Sequence, residues 1–331
     1  MTSSTETRRR PRARAALALA LASCAVAGAA ERPLRWTNGD VELAGALILP
    51  AGEAPYRAAV VLPPAGATGR DDPRVRGAAR ALAADGLAVL VFDPRGTGDS
   101  GGDPLRADFE DLAWDALTGV KLLRTLPEID GAHIGLVGLS QGAQVAAVAA
   151  SQDASLAFVV EISGGASTVA DGAAWRVERA WRRRGAPAED VTLALDLLGA
   201  SNEIARGRGD WERYAALRRE VEESYGADAV DGYPASPDDP YWSWWGRVVD
   251  FDPMTWWWTV DVPVLFLFAA DDPEQPTRAS VERIERSMES EGLDVTVRVL
   301  GGDALAAPDG TLRPDARHAI HELLAGLQAK P

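Results

Sequence analysis

The sequence predicts an α/β fold with a mostly parallel central sheet, flanked by helices and interrupted once by a helical block. Three observations predict it. Short, continuous apolar runs alternate with helical patterns along most of the chain. A Gly-x-Ser-x-Gly stretch, Gly138-Leu139-Ser140-Gln141-Gly142, stands between such a run and a small-residue helical pattern. The strand rhythm stops between about Ala166 and Asp250 and then resumes.

Taken in order, residues 41–49 alternate and end at Pro50, as one strand of an opening hairpin would. Residues 58–62 form a β-branched run, and 75–85 a helix stopped by Gly86. Residues 87–92 are continuously apolar, the mark of a parallel strand covered on both faces. A helix follows at 109–126, with Leu112, Ala116, Val120 and Leu123 on one face. Then come a strand at 133–139, a helix at 143–150 and a strand at 158–162. After the helical block the expectations are a strand at 262–269, a helix at 277–290, a strand at 295–300 and a last helix at 315–328. This division gives a core from 35 to 165, a helical cap from 166 to 250 inserted after the sixth strand, and a second core segment from 251 to 331.

The 331 residues are 47% hydrophobic, enough for one large domain with an inserted subdomain. A formal net charge of −15 speaks against a phosphate-backbone partner, so no nucleic acid is expected. The N-terminus differs from the rest. Arg8, Arg9, Arg10, Arg12 and Arg14 precede an apolar run at 15–22, the order of an export signal and too short to span a bilayer. Leu21-Ala22-Ser23-Cys24 resembles a lipobox, with Cys24 the lipidated residue, an export signal over 1–24 and a short linker over 25–34. Plain cleavage near Ala27-Gly28-Ala29 is the competing reading, and Arg9-Arg10 also permits a twin-arginine signal. The lipobox reading implies a membrane anchor and a bacterial periplasmic location, and the cleavage reading implies secretion. Cys24 is the single cysteine, so no internal disulfide is expected.

The Gly-x-Ser-x-Gly stretch has the strand-to-helix context that such a nucleophile elbow requires. A sharp turn there leaves the Ser140 hydroxyl exposed, and Gly138 and Gly142 keep side chains out of the way. On these residues the chain resembles the α/β-hydrolases of the dienelactone-hydrolase and serine-aminopeptidase-like kind, over about residue 35 to the C-terminus. Asp93-Pro94-Arg95-Gly96-Thr97-Gly98-Asp99-Ser100-Gly101 is similar to the family's structural turn after the fourth strand. The resemblance implies a serine hydrolase acting on a small acyl substrate, an ester, thioester or amide. It also implies an oxyanion hole of two backbone N–H groups. Gln141 supplies one, and Ala67, in Pro64-Ala65-Gly66-Ala67, is the best match for the other.

The resemblance implies an acid at Asp272, four residues before Pro276, with Asp271 the runner-up. It also implies a histidine after the last strand, where Gly301-Gly302-Asp303-Ala304 places Ala304 instead. The histidines are His133, His318 and His321. Three readings stand: His318 or another group is recruited as base, Asp303 serves as a poor base, or the protein binds without turnover. Serine without a base is a weak nucleophile. Trp242, Trp244, Trp245, Trp256, Trp257 and Trp258 either wall an apolar pocket or clamp the cap to the sheet. No phosphate loop or metal-spaced cluster is present in the sequence, so no cofactor and no metal are expected.

Overall fold

The computed structural model describes residues 30–66, 69–291 and 294–327. Eight strands form one sheet: β1 (Glu31–Asn38), β2 (Val41–Ile48), β3 (Tyr56–Leu62), β4 (Ala88–Phe92), β5 (Ile129–Leu139), β6 (Val159–Ile162), β7 (Val264–Ala269) and β8 (Val295–Leu300). Their spatial order is β1-β2-β4-β3-β5-β6-β7-β8. The β1–β2 and β2–β4 pairs are antiparallel, and every other pair is parallel. The opening hairpin therefore edges an otherwise parallel sheet.

Helices cover both faces. The helices α1 (Pro73–Ala84) and α10 (Pro314–Gly326) pack on one face, with Val75, Leu82, Ile320 and Leu324 against Val137, Val160 and Leu267. On the other lie α2 (Phe109–Arg124) and α3 (Gln141–Gln152), with Ala113, Val120 and Val148 against Leu136, Val159 and Phe266. Period-two alternation along a strand sends consecutive side chains to opposite faces. Hence Val159 faces α3, whereas Val160 and Ile162 face α1 and α10. The same rule puts Glu161 on the α3 face, in register between Gly138 of β5 and Phe266 of β7.

Between β6 and β7 run α4 (Val169–Arg183), α5 (Ala188–Ala205), α6 (Trp211–Tyr225), α7 (Pro240–Val248) and α8 (Met254–Trp257). This helical stretch continues past residue 250, because α8 packs Met254 and Trp257 into the main core. A second small core of Trp181, Leu197, Tyr214, Val221 and Trp242 holds α4–α7 together. The strand β1 begins at Glu31, inside the segment read from sequence as linker. The helix α9 (Thr277–Glu291) joins β7 to β8. Among the described residues no helix is long and apolar enough to cross a membrane. Cys24 and the rest of the export signal lie outside the described residues.

Two buried carboxylates fix the turn after β4. Asp93 accepts from the Arg70 backbone N–H at 2.6 Å, the Arg70 guanidinium at 2.5 Å and the Asp99 N–H at 2.9 Å. Two residues on, Arg95 makes a two-pronged pair with Asp115 of α2, both contacts 2.7 Å, and Asn38 Nδ2 donates to the same carboxylate at 2.7 Å. The pair holds the Arg95 guanidinium above its ordinary pKa, chiefly through the Asp115 hydrogen bonds.

Candidate active site

Ser140 joins β5 to α3 with φ 50° and ψ −114°, a conformation that L-residues with a side chain rarely adopt. Such strain persists only where the surroundings enforce it. Here they do. The Ser140 N–H donates to the Ile162 carbonyl at 2.8 Å, tying the elbow to β6. A Cβ on Gly138 would come 2.5 Å from the Ala143 Cα, and one on Gly142 would collide with the Leu62 carbonyl. The two glycines thus let α3 settle against β5 and against the end of β3. Gly142→Ala forces backbone apart at a packed junction, so a loss of about 1–3 kcal/mol in urea-unfolding stability is expected.

At the first turn of α3 the Gln141 N–H has no partner within the helix, because helix N-termini leave their first donors free. It stands beside a cavity of about 360 Å³. Pro63, Pro64, Ala65 and Gly66 form one wall, and Phe92, Leu105, Leu112, Val145 and Trp244 are among the apolar side chains that line the rest. Ala67 lies outside the described residues, so the loop after β3 is followed only to Gly66. Trp244 is a pocket wall, while Trp245 and Trp257 are buried in the main core and Trp242 in the cap core. Trp256 packs partly buried against the main core, and Trp258 is exposed.

Asp272 lies just past β7 and is 6% exposed. It accepts from the Glu274 N–H at 2.8 Å, and the Gln275 N–H and the Ser163 hydroxyl lie near enough to favour its charged form. Burial raises its pKa, partly offset by these donors. No histidine is among them. Ser163, the residue after β6, has φ 53° and donates its backbone N–H to the Leu267 carbonyl at 3.0 Å. Asp271 is exposed, and its N–H donates to the Gly302 carbonyl at 2.9 Å, drawing the loop after β8 toward the acid turn.

That loop carries Asp303 and Ala304, both exposed. Arg313 clamps it by donating to the carbonyls of Gly301 at 2.5 Å and Ala304 at 2.9 Å. Asp303 is close enough to raise the Asp272 pKa. The histidines stand elsewhere. His318 lies on the solvent side of α10, 72% exposed, against Glu322 at 3.4 Å. That placement runs against His318 as a recruited base, because the opposite side of α10 is the one packed on the sheet. His321 is exposed on the same helix, and His133 pairs with Asp130 at 2.8 Å. Among the described residues nothing hydrogen-bonds the Ser140 hydroxyl. No group of three His, Cys, Asp or Glu among them could hold a metal.

Glu161 escaped the sequence reading. It is fully buried at the end of β6, and burial pushes its pKa up to about 8. Its sequence signal was a lone carboxylate in an otherwise apolar strand, Val159-Val160-Glu161-Ile162.

An elbow, a buried acid and an apolar cavity at the carboxyl ends of parallel strands are the frame of a hydrolase. Residues 38–266 match the sequence model of the X-Pro dipeptidyl-peptidase (S15 family). The chain belongs to that family. No curated protein sequence matches it. Among solved structures it is similar to an esterase of Pyrococcus furiosus, at 18% identity and a TM-score of 0.60, covering 90% of this chain and 91% of that one. A proline iminopeptidase of Mycobacterium smegmatis matches at 17% identity and TM-score 0.57, over 89% and 98%. A dienelactone hydrolase-like promiscuous phosphotriesterase from metagenomic libraries matches at 17% and 0.53, over 91% and 99%. These likenesses give the S15 family member the α/β-hydrolase fold, and with it the mostly parallel sheet and flanking helices described above.

Proposed function

We propose that this S15 family member is a serine hydrolase that attacks an ester, thioester or amide with an apolar acyl part. The observation that carries the reading is Ser140, held at φ 50° next to Gln141, which starts α3 with its N–H free and lines an apolar cavity. The Ser140 oxygen would add to the substrate carbonyl, and the Gln141 N–H would hold the alkoxide that forms. Collapse would expel the leaving group and leave an acyl-serine, which water then cleaves. The Ser140 proton would pass to solvent water and from there to the departing group, because no imidazole receives it in the arrangement described, so turnover is expected to be slow.

That same lack favours a second reading, a protein that binds an acyl ligand with little or no turnover. A panel of p-nitrophenyl acyl esters and an X-Pro p-nitroanilide, each run against Ser140→Ala, separates the two. Hydrolysis above Ser140→Ala that favours longer acyl chains supports the first reading. Equal rates for every substrate support the second.

We also propose export to the cell envelope, supported by the arginine block, the short apolar run and the lipobox-like Leu21-Ala22-Ser23-Cys24. Under this reading Cys24→Ser moves the protein out of the membrane fraction of its host. Unchanged membrane association would count against a lipid anchor at Cys24.

A further inference from the structure

Glu161 has a geometry that the reaction above does not use. Its Oε1 accepts from the N–H groups of Gly164 and of Gly165, the latter at 3.0 Å. Its Oε2 is buried and has no hydrogen-bond partner. No described Arg, Lys or His donates to it, and Asp272, also buried, faces it from the turn after β7. Two carboxylates buried close together without a cation cannot both stay charged at low cost.

The turn that Glu161 holds is part of the site. It starts at Ser163, whose hydroxyl lies near enough to Asp272 to favour its charged form. Gly164 lies against the elbow: a Cβ there would meet the Ala143 side chain and come 3.0 Å from the Ser140 carbonyl oxygen. The far side is fastened by α9, where Ser280 Oγ accepts from the Ala166 N–H at 3.1 Å and Arg283 donates to the Ala166 carbonyl at 2.7 Å. The Arg283 charge is turned to that carbonyl and to Asp252, not to Glu161.

We propose that Glu161 is a positioning residue for the nucleophile: its carboxyl fixes the Ser163–Gly164–Gly165 turn behind Ser140, and loss of its proton loads that turn with a buried charge beside Asp272. The proposal rests on the serine-hydrolase reading for its effect on Ser140, but not for its effect on stability. The two glycine N–H groups hold Oε1 in either state, and with the proton on Glu161 is a neutral acid whose burial costs little. With the proton off, a second negative charge lies buried beside Asp272. The sign follows from linkage. Burial raises the Glu161 pKa from 4.5 to about 8, so across that window the folded protein keeps a proton that the unfolded chain has released. The stability due to this group is complete below the window and is lost as pH rises through it.

The test compares the full chain with Glu161→Gln, which mimics the neutral acid, and Glu161→Ala, which drops both glycine donors. Two readouts are taken against pH: melting temperature, and the rate of Ser140 labelling by a fluorophosphonate. In the parent, labelling is expected to fall at alkaline pH, by about tenfold one pH unit above the midpoint. Its melting temperature should decline earlier, between about pH 4.5 and 8, and level off above that. Glu161→Gln should show neither decline, and Glu161→Ala should label slowly at every pH. Superimposable profiles for the parent and Glu161→Gln in both readouts would overturn the proposal. If no protein labels at any pH, the reading of Ser140 fails, and the melting profiles still decide the role of Glu161.

Discussion

Arg95→Ala is expected to lower unfolding free energy by about 3–5 kcal/mol, the range for removing one partner of a buried ion pair. The cause is the group left behind. Asp115 is fully buried, and Arg95 supplies two of its three hydrogen bonds, the third coming from Asn38. Removing the guanidinium strands a charge that water cannot reach. It also loosens a site wall, since Arg95 lines the cavity and sits in the turn that Asp93 and Arg70 tie to the loop after β3. Urea-unfolding midpoints at constant slope give the loss. Arg95→Met combined with Asp115→Leu removes both charges and should recover much of it. A double variant no more stable than Arg95→Ala would assign the effect to lost packing.

The second large effect is a gain. Ala304→His combined with Ser163→Ala is expected to raise kcat/KM for a p-nitrophenyl ester by about 10²-fold or more, the scale of a positioned general base. The loop after β8 is drawn to the acid turn through Asp271 and Gly302, and Asp303 already acts on Asp272. A histidine next to Asp303 therefore enters the field of the acid. Asp272, however, already accepts from the Glu274 N–H, and the Ser163 hydroxyl lies near enough to favour its charged form. Clearing that hydroxyl makes room for the imidazole N–H. Ala304→His alone should gain less than the double variant, and equal rates would show that Ser163 does not compete.

How much of this was legible in the sequence depends on distance along the chain. The elbow was legible because its cause is local: two glycines, a serine, a buried strand before and a helix after. Asp272 was singled out by the family resemblance, four residues before Pro276, since the acidic end of the apolar strand alone fits Asp271 as well. The β1 strand was not, since it is an edge strand with mostly exposed side chains and little apolar alternation. Ser163 was hidden because a positive φ on a serine is imposed by neighbours from β7 and not by its own type. Glu161 could have been flagged as a charge inside a buried strand, but its meaning depends on Gly164, Gly165 and Asp272, which only the fold brings together. The apolar cavity joins the loop after β3, the turn after β4, α2, α3 and α7, a combination that no local pattern encodes.

The central claim is that Ser140 is a presented nucleophile. Mass-spectrometric mapping of the fluorophosphonate adduct tests it most directly. One adduct is expected, on the peptide carrying Gly138-Leu139-Ser140-Gln141-Gly142, and none in Ser140→Ala. An adduct on another serine, or none after prolonged exposure of the folded protein, would contradict it.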